Sequence, residues 1–252
     1  MVPNEFVPGI KRTQIARVGV DNISADALPD AVEQMLGSGE YHHFVFLRTW
    51  DLLRARRNPQ FRQYVRNASL SIPSSPGLAR SARFLKRPPL MWYSPFEFVV
   101  RLLGVLEQRN RSVYLLGGDR HQLHNVEQNV KLTFPGVRIV GRYTGHYPKG
   151  FERNIVTAIK KASPDFLLVG SGVPGRDLWV FTHRKLFNPG LAVFSEEVFD
   201  IFGDRRSKPP KTSGGRFLES VKTVMRKPWR VLRAPVYLWF ALVLLFSRLR
   251  GT

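Results

Sequence analysis

Short apolar runs alternate with longer segments whose apolar residues recur at helical spacing. The pattern is most regular in the second half of the chain. It predicts strands at 112–116, 137–141 and 166–170, separated by helices at 121–134 and 150–162. Strands separated by helices of ten or more residues indicate βαβ units, whose strands are parallel. We therefore predict a Rossmann-like α/β fold, a parallel sheet with helices on both faces.

The first half follows the same pattern less regularly. Strands are predicted at 17–20, 44–47 and 68–72. Ser24 is a plausible N-cap and Gly37 a plausible end for the first helix. The sequence also predicts a helix boundary at Asn58-Pro59 and a turn over 73–77.

Two glycine turns follow predicted strands, Gly117-Gly118 and Gly170-Ser171-Gly172. Ligands of parallel sheets bind beyond the carboxyl ends of the strands, so these turns are candidate phosphate contacts. Taken singly, a glycine after a strand is more often only a tight turn. The chain has no G-x-G-x-x-G fingerprint, P-loop, D-x-D pair or metal-binding histidine spacing, and we predict neither a cofactor nor a metal.

The net charge of +20 favours an anionic partner: nucleic acid, anionic lipid or a phosphorylated ligand. Between Arg205 and Arg250 there are twelve Lys or Arg residues and one acid, Glu219. No nucleic-acid-binding module is recognisable, so we do not expect a nucleic-acid partner. A second basic group is equally compatible with a solvated helix face, and its members are Arg48, Arg54, Arg56, Arg57, Arg62 and Arg66.

Residues 211–252 carry this basic stretch and are predicted to form a membrane-associating appendage. Their first part has a basic amphipathic pattern typical of helices in anionic lipid interfaces. Residues 234–246 are uncharged and flanked by arginines, but a helical span needs about 20 apolar residues. An interfacial or re-entrant helix is favoured, and whether it spans the membrane stays open. A helix packed on the domain is the alternative.

The absence of cysteine and of an apolar N-terminal region fits a reducing compartment without a secretory signal.

The order of several segments is more specific than any one of them. The segments are Val20-Asp21-Asn22-Ile23-Ser24, Asn58-Pro59-Gln60-Phe61-Arg62, Leu115-Leu116-Gly117-Gly118, residues 134–141 with Gly145, residues 163–172, Pro174 with Trp179, His183-Arg184 and Phe199-Asp200. In this order the chain resembles the WecG/TagA/CpsF bacterial glycosyltransferases over residues 17–210. This leaves residues 1–16 as an N-terminal arm. The resemblance implies metal-independent, inverting sugar transfer from a nucleotide donor to a lipid-diphosphate-linked acceptor during surface polysaccharide synthesis.

The resemblance places a substrate pocket at the strand ends, yet the family's catalytic pattern is replaced there. The family's presumed base is a carboxylate of an Asp-Gly pair, which aligns with Ser74-Ser75, and a serine hydroxyl is too weakly basic to replace it. Arg48 replaces an asparagine near the sugar, and Trp92 replaces an arginine of the diphosphate site. Arg176 replaces a glutamine, while Asp177 keeps the acid beside it. A glycine-rich turn aligns with residues 194–197. The pocket implied by the resemblance comprises Arg48, Ser74, Ser75, Trp92, Gly117, Gly118, Gly145, Gly172, Pro174, Arg176 and Asp177.

Two explanations stay open. The pocket is rebuilt, with Arg48 or Arg176 at the diphosphate and another acid as the base: Asp51, Glu97, Glu196 or Glu197. Alternatively, catalysis is lost and the fold serves as an accessory subunit that binds a ligand or another polysaccharide synthesis protein. A simpler structural possibility is that Arg48 and Arg176 only pair with Asp51 and Asp177, which are close in sequence.

Either way, we expect a peripheral protein on the cytoplasmic face of the bacterial inner membrane. Its expected partners are a nucleotide-sugar, an undecaprenyl-diphosphate-linked saccharide and an anionic membrane surface. The donor sugar, the linkage and the oligomeric state do not follow from the sequence.

Overall fold

The computed structural model describes residues 10–204 and residue 245. Apart from Leu245, the predicted C-terminal appendage lies outside the described residues. Eight strands and nine α-helices lie within residues 10–204. The strands are β1 Lys11–Ile15, β2 Val18–Asn22, β3 Tyr41–Leu47, β4 Leu70–Pro73, β5 Ser112–Leu116, β6 Arg138–Tyr143, β7 Phe166–Val169 and β8 Gly190–Phe194. The helices are α1 Leu28–Gly37, α2 Thr49–Arg57, α3 Pro59–Arg66, α4 Pro76–Phe84, α5 Pro95–Gln108, α6 Arg120–Thr133, α7 Glu152–Ala162, α8 Asp177–His183 and α9 Glu196–Phe202.

Six strands form one parallel sheet in the order β4-β3-β8-β7-β5-β6. The predicted parallel α/β fold is therefore confirmed. Its two central strands, β7 and β8, come last along the chain. They join the β3–β4 pair to the β5–β6 pair.

Buried residues alternate between the two faces of the sheet, as the two-residue period of a strand requires. Leu115 and Leu168 point to one face, where α1, α5, α6 and α9 pack. Leu116 and Val169 point to the other, which α7 and α8 cover. On this second face, α2, α3 and α4 cover the β3–β4 end of the sheet around Leu47. Helices thus lie on both faces, as predicted.

A hairpin of β1 and β2 stands beside the main sheet and was not predicted in full. Its strands are antiparallel and its turn consists of Ala16 and Arg17, both at positive φ. Two-residue hairpin turns usually carry Asn or Gly at such positions. This turn has neither Asn nor Gly, so the sequence contains no signal for a hairpin. Residues 11–15 of the expected N-terminal arm are therefore a strand.

Local sequence signals explain several helix boundaries. Asn58 ends α2 with its backbone N–H on the Arg54 carbonyl (2.8 Å), and its side chain accepts from the Phe61 N–H (3.0 Å) to begin α3. This confirms the boundary predicted at Asn58-Pro59. Two predictions need correction. Ser24 caps a turn before α1 rather than the helix itself, since its Oγ accepts from the Ala27 N–H. The turn predicted over 73–77 is confined to Ser74-Ser75, because a proline at the first helical position already begins α4.

Candidate functional site

The carboxyl edge of the sheet contains a crevice between β3 and β8. After β3 the chain enters α2 on one face, whereas after the neighbouring β8 it enters α9 on the opposite face. Loops that diverge in this way leave an opening at the strand ends, where ligands of α/β sheets bind. The loops that follow the six strands contain all the predicted pocket residues except Trp92 and Asp177, and Asp177 is the first residue of α8.

An ion pair crosses this crevice. Arg48, the residue before α2, donates from Nη2 to Glu197 Oε2 at the start of α9 (3.2 Å). The arginine side chain remains 59% exposed, so the pair contributes at most about 1 kcal/mol. Arg48 is therefore held in place but is easily released to another anion.

A second ion pair lies beside the first. Arg176, in the loop between β7 and α8, donates to Glu196 Oε1 (2.7 Å), and its side chain is 67% exposed. Its backbone φ is +52°, a conformation that non-glycine residues rarely adopt and that costs free energy. Arg48 thus pairs with Glu197 and Arg176 with Glu196, and the two exposed ion pairs lie side by side at this edge.

The simpler possibility, that Arg48 pairs with Asp51 and Arg176 with Asp177, does not hold in the structure. Asp177 instead accepts both terminal nitrogens of Arg54, one of them at 3.1 Å. Asp51 accepts from the backbone N–H of Arg48 (2.8 Å), because the third residue of a helix can fold back onto the residue before it. The side chains of Arg48 and Arg176 are left to face the crevice.

Among the four acids proposed as substitute bases, Asp51 has a shifted pKa. Burial raises the pKa of Asp51, and the backbone N–H of Arg48 and the nearby guanidinium groups only partly oppose this. A raised carboxyl pKa is closer to that of an effective general base near neutral pH. Glu97 lies in the first turn of α5, and its Oε1 is 3.5 Å from Nη2 of Arg101, one turn further along the helix.

The hydroxyls of Ser74 and Ser75 have structural partners. Ser74 donates from both its backbone N–H (2.8 Å) and its Oγ (3.0 Å) to the Leu47 carbonyl, which joins the ends of β3 and β4. The Oγ of Ser75 lies 3.5 Å from Thr49 Oγ1. Trp92 lies near Ser74, since the next residue, Tyr93, donates its N–H to the Pro73 carbonyl.

The glycines of the predicted pocket allow three loops to pack backbone against backbone. Gly118 donates to the Ser171 carbonyl, and Gly145 donates to the Gly118 carbonyl, both at 2.8 Å. A Cβ on Gly145 would lie 2.2 Å from the Ser171 oxygen. Gly117, Gly118 and Gly172 also have positive φ. The tight-turn interpretation accounts for these glycines, and Pro174 lies exposed on the same loop as Gly172.

One residue of this edge was not selected from the sequence. A Cβ on Gly172 would lie 2.6 Å from His146 Nε2, so the exposed imidazole lies directly against this turn. The signal in the sequence was its position beside Gly145, after a predicted strand.

Over residues 10–204, no group of three or more His, Asp and Glu side chains is arranged to hold a metal ion. None of the helices in the described part is long and apolar enough to cross a bilayer.

The fold and this edge define a Rossmann-like α/β protein with its candidate site at the switch point of a parallel sheet. The sequence profile of the glycosyl transferase WecG/TagA/CpsF family matches residues 13–252, and the chain belongs to this family. The match continues through the residues predicted to form the C-terminal appendage.

Two characterised relatives bear the same name, N-acetylglucosaminyldiphosphoundecaprenol N-acetyl-beta-D-mannosaminyltransferase. The one from Bacillus spizizenii is 25% identical over 186 residues, which is 73% of this chain and 72% of the relative. The one from Staphylococcus aureus is 19% identical over 156 residues, 62% of this chain and 61% of the relative. The chain thus spans less than two thirds of the Staphylococcus protein.

Proposed function

We propose that this protein is a membrane-associated glycosyltransferase of exopolysaccharide or other surface polysaccharide synthesis. It transfers a sugar from a nucleotide-sugar to an undecaprenyl-diphosphate-linked acceptor at the cytoplasmic face of the inner membrane. Family membership supports sugar transfer, and the names of the relatives, which include an undecaprenyl diphosphate acceptor, support the substrate class. The basic, amphipathic sequence of the predicted appendage supports membrane association.

The observation that carries the proposal is the pair of exposed arginines at the crevice. Donor and acceptor both contain a diphosphate that cations can bind. The charge that develops on the departing nucleoside diphosphate of the donor also requires cationic or hydrogen-bonding groups. Arg48 and Arg176 supply two guanidinium groups, which bind phosphate oxygens in a bidentate manner. Their present partners are glutamates in exposed ion pairs of small net strength, so a diphosphate can displace them.

Asp51 is the acid that we assign as the general base. It lies three residues from Arg48 at the same edge, and burial raises its pKa. In this assignment Asp51 takes the proton from the acceptor hydroxyl while Arg48 and Arg176 stabilise the departing nucleoside diphosphate. A second candidate function is an inactive accessory subunit, favoured by the absence of a carboxylate at Ser74 and Ser75.

Calorimetry with nucleoside diphosphates tests the site on the full chain. Arg48→Ala and Arg176→Ala should each weaken binding about tenfold or more, because each removes charge-assisted hydrogen bonds to phosphate. Arg109→Ala is the matched control, since Arg109 forms a similarly exposed pair with Glu33 on a surface away from the crevice. Failure of the unaltered protein to bind any nucleoside diphosphate refutes the proposed site.

A transfer assay separates the two functions. With an undecaprenyl-diphosphate-linked saccharide and a panel of nucleotide-sugars, an enzyme forms a longer lipid-linked product, and Asp51→Asn should lower kcat at least about a hundredfold. Nucleotide binding without product across the panel supports the accessory subunit instead.

A further inference from the structure

The outer surface of helices α2, α3 and α4 carries positive charge without compensating acids. Residues 49–87 contain nine Lys or Arg residues and one acid, Asp51, a net charge of +8. Helices α2 and α3 are in contact, the start of α4 lies near the start of α2, and all three contribute to one core cluster. We call their solvent side, together with residues 85–87 that follow α4, the α2–α4 face.

Three of the nine cations have structural partners. Arg54 pairs with Asp177 and lies over the Phe61 ring. Arg62 donates to the carbonyls of Ala55 (2.8 Å) and Arg56 (2.7 Å), and Arg80 donates to a carbonyl of its own helix. Within residues 10–204, the other six are exposed and form no ion pair: Arg56, Arg57, Arg66, Arg83, Lys86 and Arg87.

Exposed aromatic side chains accompany these cations. Phe84, at the end of α4 and next to Arg83, is 40% exposed. Trp50, at the first turn of α2, is 51% exposed and stands two residues from Arg48 of the candidate site. Cations beside exposed aromatics suit a lipid interface, where the charge meets headgroups and the ring enters the acyl boundary.

We propose that the α2–α4 face binds the anionic surface of a membrane. This second contact, made by the folded domain itself, is distinct from the predicted C-terminal appendage. Helices α2 and α4 begin at the carboxyl edge of the sheet, directly after Arg48 and Ser75, and the unpaired cations lie toward their other ends. The contact therefore lays the flank of the domain along the membrane, with the candidate site at one end of that flank.

The test measures the salt concentration that releases half of the full-length protein from phosphatidylglycerol-containing vesicles. The variant Arg83→Gln/Lys86→Gln/Arg87→Gln should bind these vesicles at least about fivefold more weakly and release at lower salt, since each cation near such a surface contributes measurably. Phe84→Ser should weaken binding without a change of charge. Circular dichroism checks that every variant is folded.

The control variant is Arg153→Gln/Lys160→Gln/Lys161→Gln, which removes the same charge from exposed positions of α7. Helix α7 packs beside β6, at the edge of the sheet opposite β4. The control should stay within about twofold of the unaltered protein. Equal weakening of both triple variants, or no change in either, overturns the proposal.

Binding of double-stranded DNA is measured in parallel. If the α2–α4 variant loses DNA affinity while its vesicle binding is unchanged, the face binds nucleic acid and the proposal is wrong. Nucleoside diphosphate binding should be equal in all these variants, so a failure of this proposal is distinguishable from a failure of the proposed function.

Discussion

Single residues determine the electrostatics of the crevice. Arg48 and Arg176 each face one carboxylate, so these two pairs have no net charge even though the chain carries a charge of +20. An anionic ligand must therefore compete with Glu196 and Glu197. This competition makes the glutamates determinants of affinity, whatever their role in a reaction.

Removing the two carboxylate charges should strengthen the binding of nucleoside diphosphates. We expect Glu196→Gln and Glu197→Gln to raise affinity about three- to tenfold each, because each change removes repulsion of the ligand and frees an arginine. Calorimetry measures the change, with Glu33→Gln as the control on the distant Arg109 pair. Weaker binding in either variant would show that the carboxylate contacts the ligand favourably.

The side-chain partners of single residues could not be predicted from the sequence. Arg48 and its partner Glu197 are 149 positions apart, so no local pattern connects them. The nearby Asp51 was a reasonable candidate partner, but its place at the third position of α2 turns its carboxylate toward the Arg48 backbone N–H. Helix geometry, rather than sequence distance, decides which groups meet.

At the scale of elements, local patterns predicted well. Strands β5 and β7 and helix α6 match their predicted ranges within one residue, because buried parallel strands and amphipathic helices have clear periodicities. The order of the strands is not a local property. It depends on which apolar faces meet, and the resemblance to a known family anticipated it only as a fold class.

The loops at the carboxyl edge also act together, because glycines let their backbones pack against one another. We expect Gly145→Ala to lower the free energy of unfolding by about 1–3 kcal/mol, because its Cβ would overlap the Ser171 carbonyl. Gly150→Ala is the matched control, since a Cβ there meets nothing within 4 Å. Urea unfolding measures both. If the two variants are equally stable, the close packing of these loops does not constrain the site.

For the whole molecule, a buried histidine in β3 makes stability depend on pH. Burial lowers the pKa of His43 from 6.5 to about 4, although its Nε2–H donates to the Tyr64 carbonyl. Between about pH 4 and pH 6.5, this histidine binds a proton in the unfolded chain but not in the folded protein. Stability is therefore complete above about pH 6.5 and falls as the pH drops toward 4, by about 3 kcal/mol. Burial also lowers the pKa of neighbouring His42, which acts in the same direction.

Urea unfolding at several pH values between about 7 and 4 measures this dependence. His43→Gln keeps a hydrogen-bond donor but cannot titrate, so its stability should decline less steeply with acid than that of the unaltered protein. His124→Gln, at an exposed position of α6, should leave the slope unchanged. A His43→Gln variant with the original slope would assign the acid sensitivity to other groups.

The strand order also has a consequence for biosynthesis. The two flanking strand pairs can form early, but β7 and β8, which join them, are synthesised last among the strands. The inner edge of β5 has no partner until β7 has left the ribosome, and that of β3 has none until β8, which ends at Phe194, has followed. Sheets closed by such non-local pairing fold slowly and expose aggregation-prone edges. The nascent chain is therefore expected to depend on chaperones over most of its translation.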